Sequence, residues 1–127
     1  LCGTIYKDIC FTAPDDGWLL EQYLVYLESG SIFCTIYRYD NENESWHNTG
    51  EEYYLKGGGH QAISFSAPDD GWAVGAHKSF HWDGSSWSEV SMPYIEGVGM
   101  NDVYAISSDD VWAVGDWGTI MHFTGWD

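Results

Sequence analysis

Three pairs of adjacent aspartates are the residues in this 127-residue sequence whose type and spacing best suit chemistry. The pairs are Asp15 with Asp16, Asp69 with Asp70, and Asp109 with Asp110. Carboxylates are hard oxygen ligands that suit calcium, and two carboxyls held across a pocket can hydrolyse a glycosidic bond. We take Asp69 and Asp70 as the candidate calcium ligands, and no other cofactor is expected. The threefold occurrence favours a simpler interpretation, a repeated turn in which one Asp caps the backbone and the other faces water.

Each Asp pair precedes a tryptophan, and the surrounding segment repeats. "APDDGW" occupies residues 13–18 and 67–72, and "SSDDVW" occupies residues 107–112. Trp72 and Trp112 are 40 residues apart, and the longer first spacing contains an insertion at residues 23–35. Short segments rich in β-branched and aromatic residues alternate with turn residues. A period near 40 residues with this content is typical of a four-stranded β-propeller blade.

The sequence therefore predicts an all-β protein, a β-propeller segment spanning residues 1–127. About three four-stranded antiparallel blades are expected: residues 4–56 with a hairpin insertion at 23–35, residues 57–97, and residues 98–127, which form an incomplete blade. Residues 1–5 could instead be the tail of a preceding blade. In the repeated turn we expect glycine to supply a positive φ, so the turn before Val111 must differ.

Three blades do not close a propeller, which typically has 4–8. The chain is then either part of a longer ring, or a subunit whose copies close a ring by association. Both alternatives predict that an isolated monomer exposes strand edges and apolar faces and is not stable alone. Three tryptophans recur in register, and we expect each to pack between blades: Trp18, Trp72 and Trp112.

Two motifs of the second unit carry a family resemblance: "DDGWAVG" at residues 69–75 and "HWDGSSW" at residues 81–87. They resemble the tryptophan-rich repeats of bacterial propellers related to the Asp-box (sialidase-type) and photosystem II assembly-factor-like families. In Asp-box repeats a hairpin with the pattern S-x-D-x-G-x-T-W joins the third and fourth strands. Asp83, Gly84 and Trp87 match that pattern. The resemblance implies a structural hairpin at the blade periphery rather than a catalytic site.

Charge and composition exclude several classes of function. Four basic residues against 20 acidic ones give a net charge of −16, which repels nucleic acids and anionic membrane surfaces. No apolar run is long enough for membrane insertion. A sialidase-type site needs several arginines and Arg38 is the single one, so we expect no enzymatic activity. The cysteines leave two alternatives open, a Cys10–Cys34 disulfide or free thiols.

Binding residues are expected where the repeat is broken. Trp117, beside Asp116, lies in a loop between the second and third strands and has no aromatic counterpart in the second unit. Insertions into repeats often lie on a binding face, although a hairpin can also cover a strand edge or contact another copy. The candidate contact residues of the insertion are Tyr23, Tyr26 and Leu27.

These observations predict a non-enzymatic, extracytoplasmic scaffold that binds a protein or a glycan, located outside the cell or on its surface. Two alternatives remain, a lectin-like or glycan-processing propeller of the Asp-box type and a purely structural component of a surface assembly. Further propeller blades, from the same or another chain, are expected as additional partners.

Overall fold

The computed structural model describes residues 2–25, 31–56, 60–75, 78–90 and 98–125, which contain eleven strands in three antiparallel sheets. Blade one contains β1 (Cys2–Ala13), β2 (Asp16–Val25), β3 (Ser31–Asp40) and β4 (Ser45–Lys56). Blade two contains β5 (His60–Ala67), β6 (Asp70–Gly75), β7 (Ser79–Trp82) and β8 (Trp87–Val90). Blade three contains β9 (Met100–Ser107), β10 (Asp110–Gly115) and β11 (Ile120–Phe123). Consecutive strands pair within each sheet, which confirms the predicted all-β class and blade architecture.

The insertion at residues 23–35 lengthens blade one. β2 and β3 each have 10 residues, against six in β6 and four in β7. β1 continues alongside the longer β2, and Cys2 pairs with Val25. The alternative that residues 1–5 belong to a preceding blade is therefore wrong for residues 2–5, because these residues pair with β2 inside blade one.

The repeated Asp-Asp motif forms the connection between the first and second strands of each blade, as predicted. The two-residue turns are Pro14–Asp15, Pro68–Asp69 and Ser108–Asp109. The expected role of glycine in them is wrong, because Gly71 is not among the described glycines with positive φ. Gly71 instead lies opposite Phe65, and a Cβ atom there would come within 2.4 Å of the Phe65 ring.

In blade three the large and the small residue of this facing pair have exchanged strands. Gly17 faces Phe11 in blade one just as Gly71 faces Phe65, and a Cβ on Gly17 would lie 2.5 Å from the ring. In blade three Val111 faces Ala105. The larger residue has moved to the second strand and the smaller one to the first, so Val111 needs no different turn.

The blades pack face to face through aromatic side chains. Trp18 of blade one is fully buried, with ring centroids 5.0 Å from Phe65 and 4.8 Å from Trp82. Trp72 of blade two is also fully buried, 4.8 Å from Phe123 of blade three. These tilted and stacked pairs are favourable beyond the area that they bury. The prediction that Trp18 and Trp72 pack between blades is confirmed.

The first strands of blades one and two run side by side in the same direction. The Ile63 N–H donates to Asp8 Oδ2 at 3.0 Å, and two residues further along both strands the Phe65 N–H donates to the Cys10 thiol. Burial raises the pKa of Cys10, against the smaller opposite effect of that N–H.

Cys10 and Cys34 are thiols, so the alternative of a disulfide between them is wrong. Cys10 pairs with Trp18 and Cys34 pairs with Gln22, so they lie four residues apart along β2. Four residues of strand span about 13 Å, beyond the reach of a disulfide.

Trp112 departs from the prediction, because 41% of its surface is exposed although its counterparts are buried. It lies on the face of blade three that points away from blade two, where no described blade covers it. The part of the chain that the structure describes contains no helix long and apolar enough to cross a membrane.

Candidate functional site

The most exposed aromatic side chain among the described residues is Trp117, with 90% of its surface accessible. It occupies a single 3₁₀ turn, Asp116–Gly118, that connects β10 to β11. Its φ is +59°, and that of Gly118 is +71°. A bulky residue in this conformation costs on the order of 1–3 kcal/mol, and an exposed indole recovers none of that by burial. Folding does not account for this tryptophan, whereas contact with a partner would.

Asp116 anchors the turn that presents Trp117. Its carboxylate accepts hydrogen bonds from Asn101 Nδ2 at 2.8 Å and from the Gly99 N–H at 3.2 Å. These two donors, the Asn101 amide foremost, lower the pKa of Asp116. The Asp116 N–H in turn donates to the Gly99 carbonyl at 3.0 Å. The structure thus brings together the two predicted site residues of blade three, with Asp116 positioning the turn and Trp117 free to make contact.

Tyr23, the candidate residue of the insertion, lies near the end of β2 on the face of blade one that points away from blade two. It lines a shallow cavity of about 280 Å³ together with Phe33 and Tyr37. This cavity and the Trp117 turn lie two blades apart, so they do not form one pocket. The other two candidates, Tyr26 and Leu27, lie outside the described residues.

The two calcium candidates point in different directions. Asp69 is exposed in the turn, whereas Asp70 is buried. The Asp70 carboxylate accepts a hydrogen bond from the Ser66 hydroxyl and lies 2.7 Å from His81 Nε2. One Asp of the pair was expected to cap the backbone of the turn. Asp70 instead contacts the side chains of Ser66 and His81, and the second contact joins the turn to β7. No group of three or more metal-binding side chains occurs within the described ranges.

The contact between Asp70 and His81 recurs in every blade, and sequence reasoning did not find it. Arg38 Nε lies 3.0 Å from Asp16, and His122 Nε2 lies 2.7 Å from Asp110. Each basic side chain also faces the tryptophan of its own blade across the strand pair. The resulting trios are Asp16–Trp18–Arg38, Asp70–Trp72–His81 and Asp110–Trp112–His122. The sequence feature that could have revealed these contacts is the equivalent position of the three basic residues in their third strands.

The hairpin that carries the Asp-box resemblance is a structural turn. Asp83 Oδ1 accepts hydrogen bonds from the N–H groups of Ser85 and Ser86, both at 2.9 Å, and Gly84 has a φ of +101°. The Ser86 N–H is the main cause of a lowered pKa at Asp83. Asp40 performs the same function between β3 and β4, where it accepts from the Glu42 N–H. Both aspartates therefore stabilise turns by accepting hydrogen bonds from backbone N–H groups.

Comparison with known proteins identifies the fold. No protein-family model matches the chain, and neither does any curated protein. The solved structure described as YCF48 bound to D1 peptide matches 97% of this chain with a TM-score of 0.68 and 18% sequence identity. The chain spans 40% of that protein's length. The likeness and the blade packing together show that the chain is a segment of a β-propeller.

Proposed function

We propose that this propeller segment is a non-enzymatic scaffold that binds a protein partner through the Trp117 turn of blade three. This proposal rests on the exposure of Trp117, which is 90% exposed on a turn held by hydrogen bonds from Asn101 and Gly99 to Asp116. Tryptophan is enriched among the residues that dominate binding energy at interfaces. A propeller of the same fold, YCF48, has been solved with a peptide bound.

The proposed partner presents a basic segment with an apolar side chain. The chain carries a net charge of −16, and Asp102 beside the Trp117 turn is exposed. Opposite charges speed association and select among partners. The apolar side chain would pack on the indole of Trp117, whose contribution would dominate the affinity. We propose an extracytoplasmic location for this scaffold.

The test is selection of binders from a displayed library of random peptides with the full chain as bait. We expect basic peptides with an apolar residue, and we expect Trp117→Ala to weaken their binding by at least about thirtyfold. Tyr6→Ala is the matched control, because Tyr6 is an exposed aromatic residue in blade one. Peptides whose binding is unaffected by Trp117→Ala would contradict the proposal.

A lectin-like function is the second candidate, because an exposed indole can also stack on the apolar face of a sugar ring. A glycan array separates the two functions. Glycan binding that Trp117→Ala abolishes, without selection of any peptide, would replace the protein partner with a sugar. A blank array together with peptide binding would remove the lectin alternative.

A further inference from the structure

The outer face of blade three carries large apolar side chains that nothing in the described part of the chain covers. Trp112 lies at its centre, with His122 stacked on one side of the ring at 3.7 Å. The exposed side chains around it, on β9, β10 and β11, are Tyr104, Ile106, Val114 and Ile120. The equivalent tryptophans of blades one and two are 0% exposed. This face therefore has the composition of an interface between blades.

The interface between blades one and two shows what covers such a tryptophan. Trp18 contacts an aromatic socket formed by Phe65, Trp82 and Trp87 of blade two, at centroid distances of 5.0, 4.8 and 5.5 Å. Phe65 lies opposite the glycine that follows the Asp pair, and Trp82 pairs with Trp87 across the third and fourth strands. The same register relations identify the corresponding residues of blade one.

Blade one carries the same socket on its outer face. Phe11 lies opposite Gly17, and Tyr39 pairs with Trp46. The Phe11–Trp46 and Tyr39–Trp46 centroids are 5.9 and 5.3 Å apart, against 6.0 and 5.7 Å for the corresponding pairs in blade two. Phe11 is about half exposed, and no tryptophan from another blade enters this socket within the described residues. The segment thus carries an uncovered tryptophan at one end and an unfilled socket at the other.

We propose that Trp112 of one copy inserts into the Phe11–Tyr39–Trp46 socket of a second copy, and that the reciprocal contact closes a ring. The described residues of two copies form six blades, within the usual range of 4–8, whereas those of three copies form nine. The contact is head to tail, and such contacts form rings when the rotation closes. The two contacting faces lie on the sides of the blades, so the Trp117 turn is a separate surface.

Sedimentation velocity of the full chain over a range of concentrations tests the proposal. We expect a reversible dimer of twice the 14.3 kDa chain mass. Trp112→Ala removes the inserting residue, and Phe11→Ala removes part of the socket. Each should weaken dimerisation by at least about thirtyfold. Ser88→Ala, at an exposed position of blade two away from both contacting faces, should leave it unchanged. A wild-type chain that stays monomeric at all concentrations would overturn the proposal, as would a Trp112→Ala variant that dimerises normally.

Mixing the two variants gives the sharper result. The Phe11→Ala copy still carries Trp112, and the Trp112→Ala copy still carries an intact socket, so the mixture retains one complete interface. We expect the mixture to form a heterodimer at lower concentrations than those at which either variant dimerises alone. Ile9→Glu, at the exposed rim of the socket, serves as a second socket variant because it leaves the Phe11–Gly17 contact in place. Absence of the heterodimer with both socket variants would refute the head-to-tail contact.

Discussion

Trp18 and Trp112 occupy the same position of the repeat but have different surroundings. Trp18 is enclosed by Arg38 of its own blade on one side and by the aromatic socket of blade two on the other. Trp112 has the same internal support, from His122, but its other side is open. The support within a blade depends on local register, whereas burial depends on the neighbouring blade. A repeat motif therefore predicts the first of these environments and cannot predict the second.

Replacing Trp18 and replacing Trp112 should affect the stability of the chain in different ways, and this is the largest difference that we expect. Trp18→Ala should lower the free energy of unfolding by about 3–5 kcal/mol at every protein concentration, because it empties an internal socket. Trp112→Ala should instead weaken the dependence of the thermal midpoint on protein concentration, because the open side of that tryptophan is covered only through association. Thermal unfolding at several concentrations distinguishes them. Equal, concentration-independent losses would show that Trp18 and Trp112 stabilise the chain in the same way.

The exchange of side-chain size between blades two and three gives the next largest effect. Gly71→Val should destabilise blade two by about 1–3 kcal/mol, because the new side chain collides with the Phe65 ring. Adding Phe65→Ala recreates the Ala105–Val111 arrangement of blade three. The loss in the double variant should be smaller than the sum of the two single losses by at least about 0.5 kcal/mol in urea unfolding. Additive losses would show that the ring does not constrain this glycine.

The aspartates of the recurring trios should also differ in their contributions. Asp70 is buried with hydrogen bonds from Ser66 and His81, so Asp70→Ala should cost about 1–3 kcal/mol by removing the acceptor of both hydrogen bonds. Asp110 is more exposed, and Asp110→Ala should cost less than about 1 kcal/mol. Urea unfolding of the two variants under identical conditions measures the difference, and a greater loss at Asp110 would contradict it.

The smallest effect concerns the pH dependence of the Trp117 turn. Hydrogen bonds from Asn101 and Gly99 lower the pKa of Asp116 in the folded chain. The contribution of Asp116 is therefore fully present above the ordinary carboxyl pKa and is lost as the pH falls through the lower, folded value. Carbon NMR of the Asp116 carboxyl should show a titration midpoint below the ordinary one, and Asn101→Ala should raise it. A midpoint unchanged by Asn101→Ala would mean that this amide does not hold the turn.

Local sequence signals were sufficient for the blade architecture, because the period and the turn residues act over a few positions. They misassigned Gly71, whose role depends on a ring on the facing strand rather than on its own backbone. The lack of an aromatic counterpart in the repeat singled out Trp117 as a candidate contact residue. Its anchor could not be foreseen, because Asn101 lies on another strand, 15 residues from Asp116. The exposure of Trp112 could not be foreseen either, because it reflects which blade lies beside it.

Fluorine NMR of the chain labelled with 5-fluorotryptophan tests most directly whether Trp112 is a packing residue and Trp117 a surface residue. Trp112→Phe and Trp117→Phe assign the two resonances, and their solvent-isotope shifts report exposure. The Trp112 resonance should lose its solvent-isotope shift as concentration rises, while the Trp117 resonance keeps its own. A Trp112 resonance that stays solvent-exposed at all concentrations, or a Trp117 resonance that becomes buried with it, would contradict the roles given to these two tryptophans.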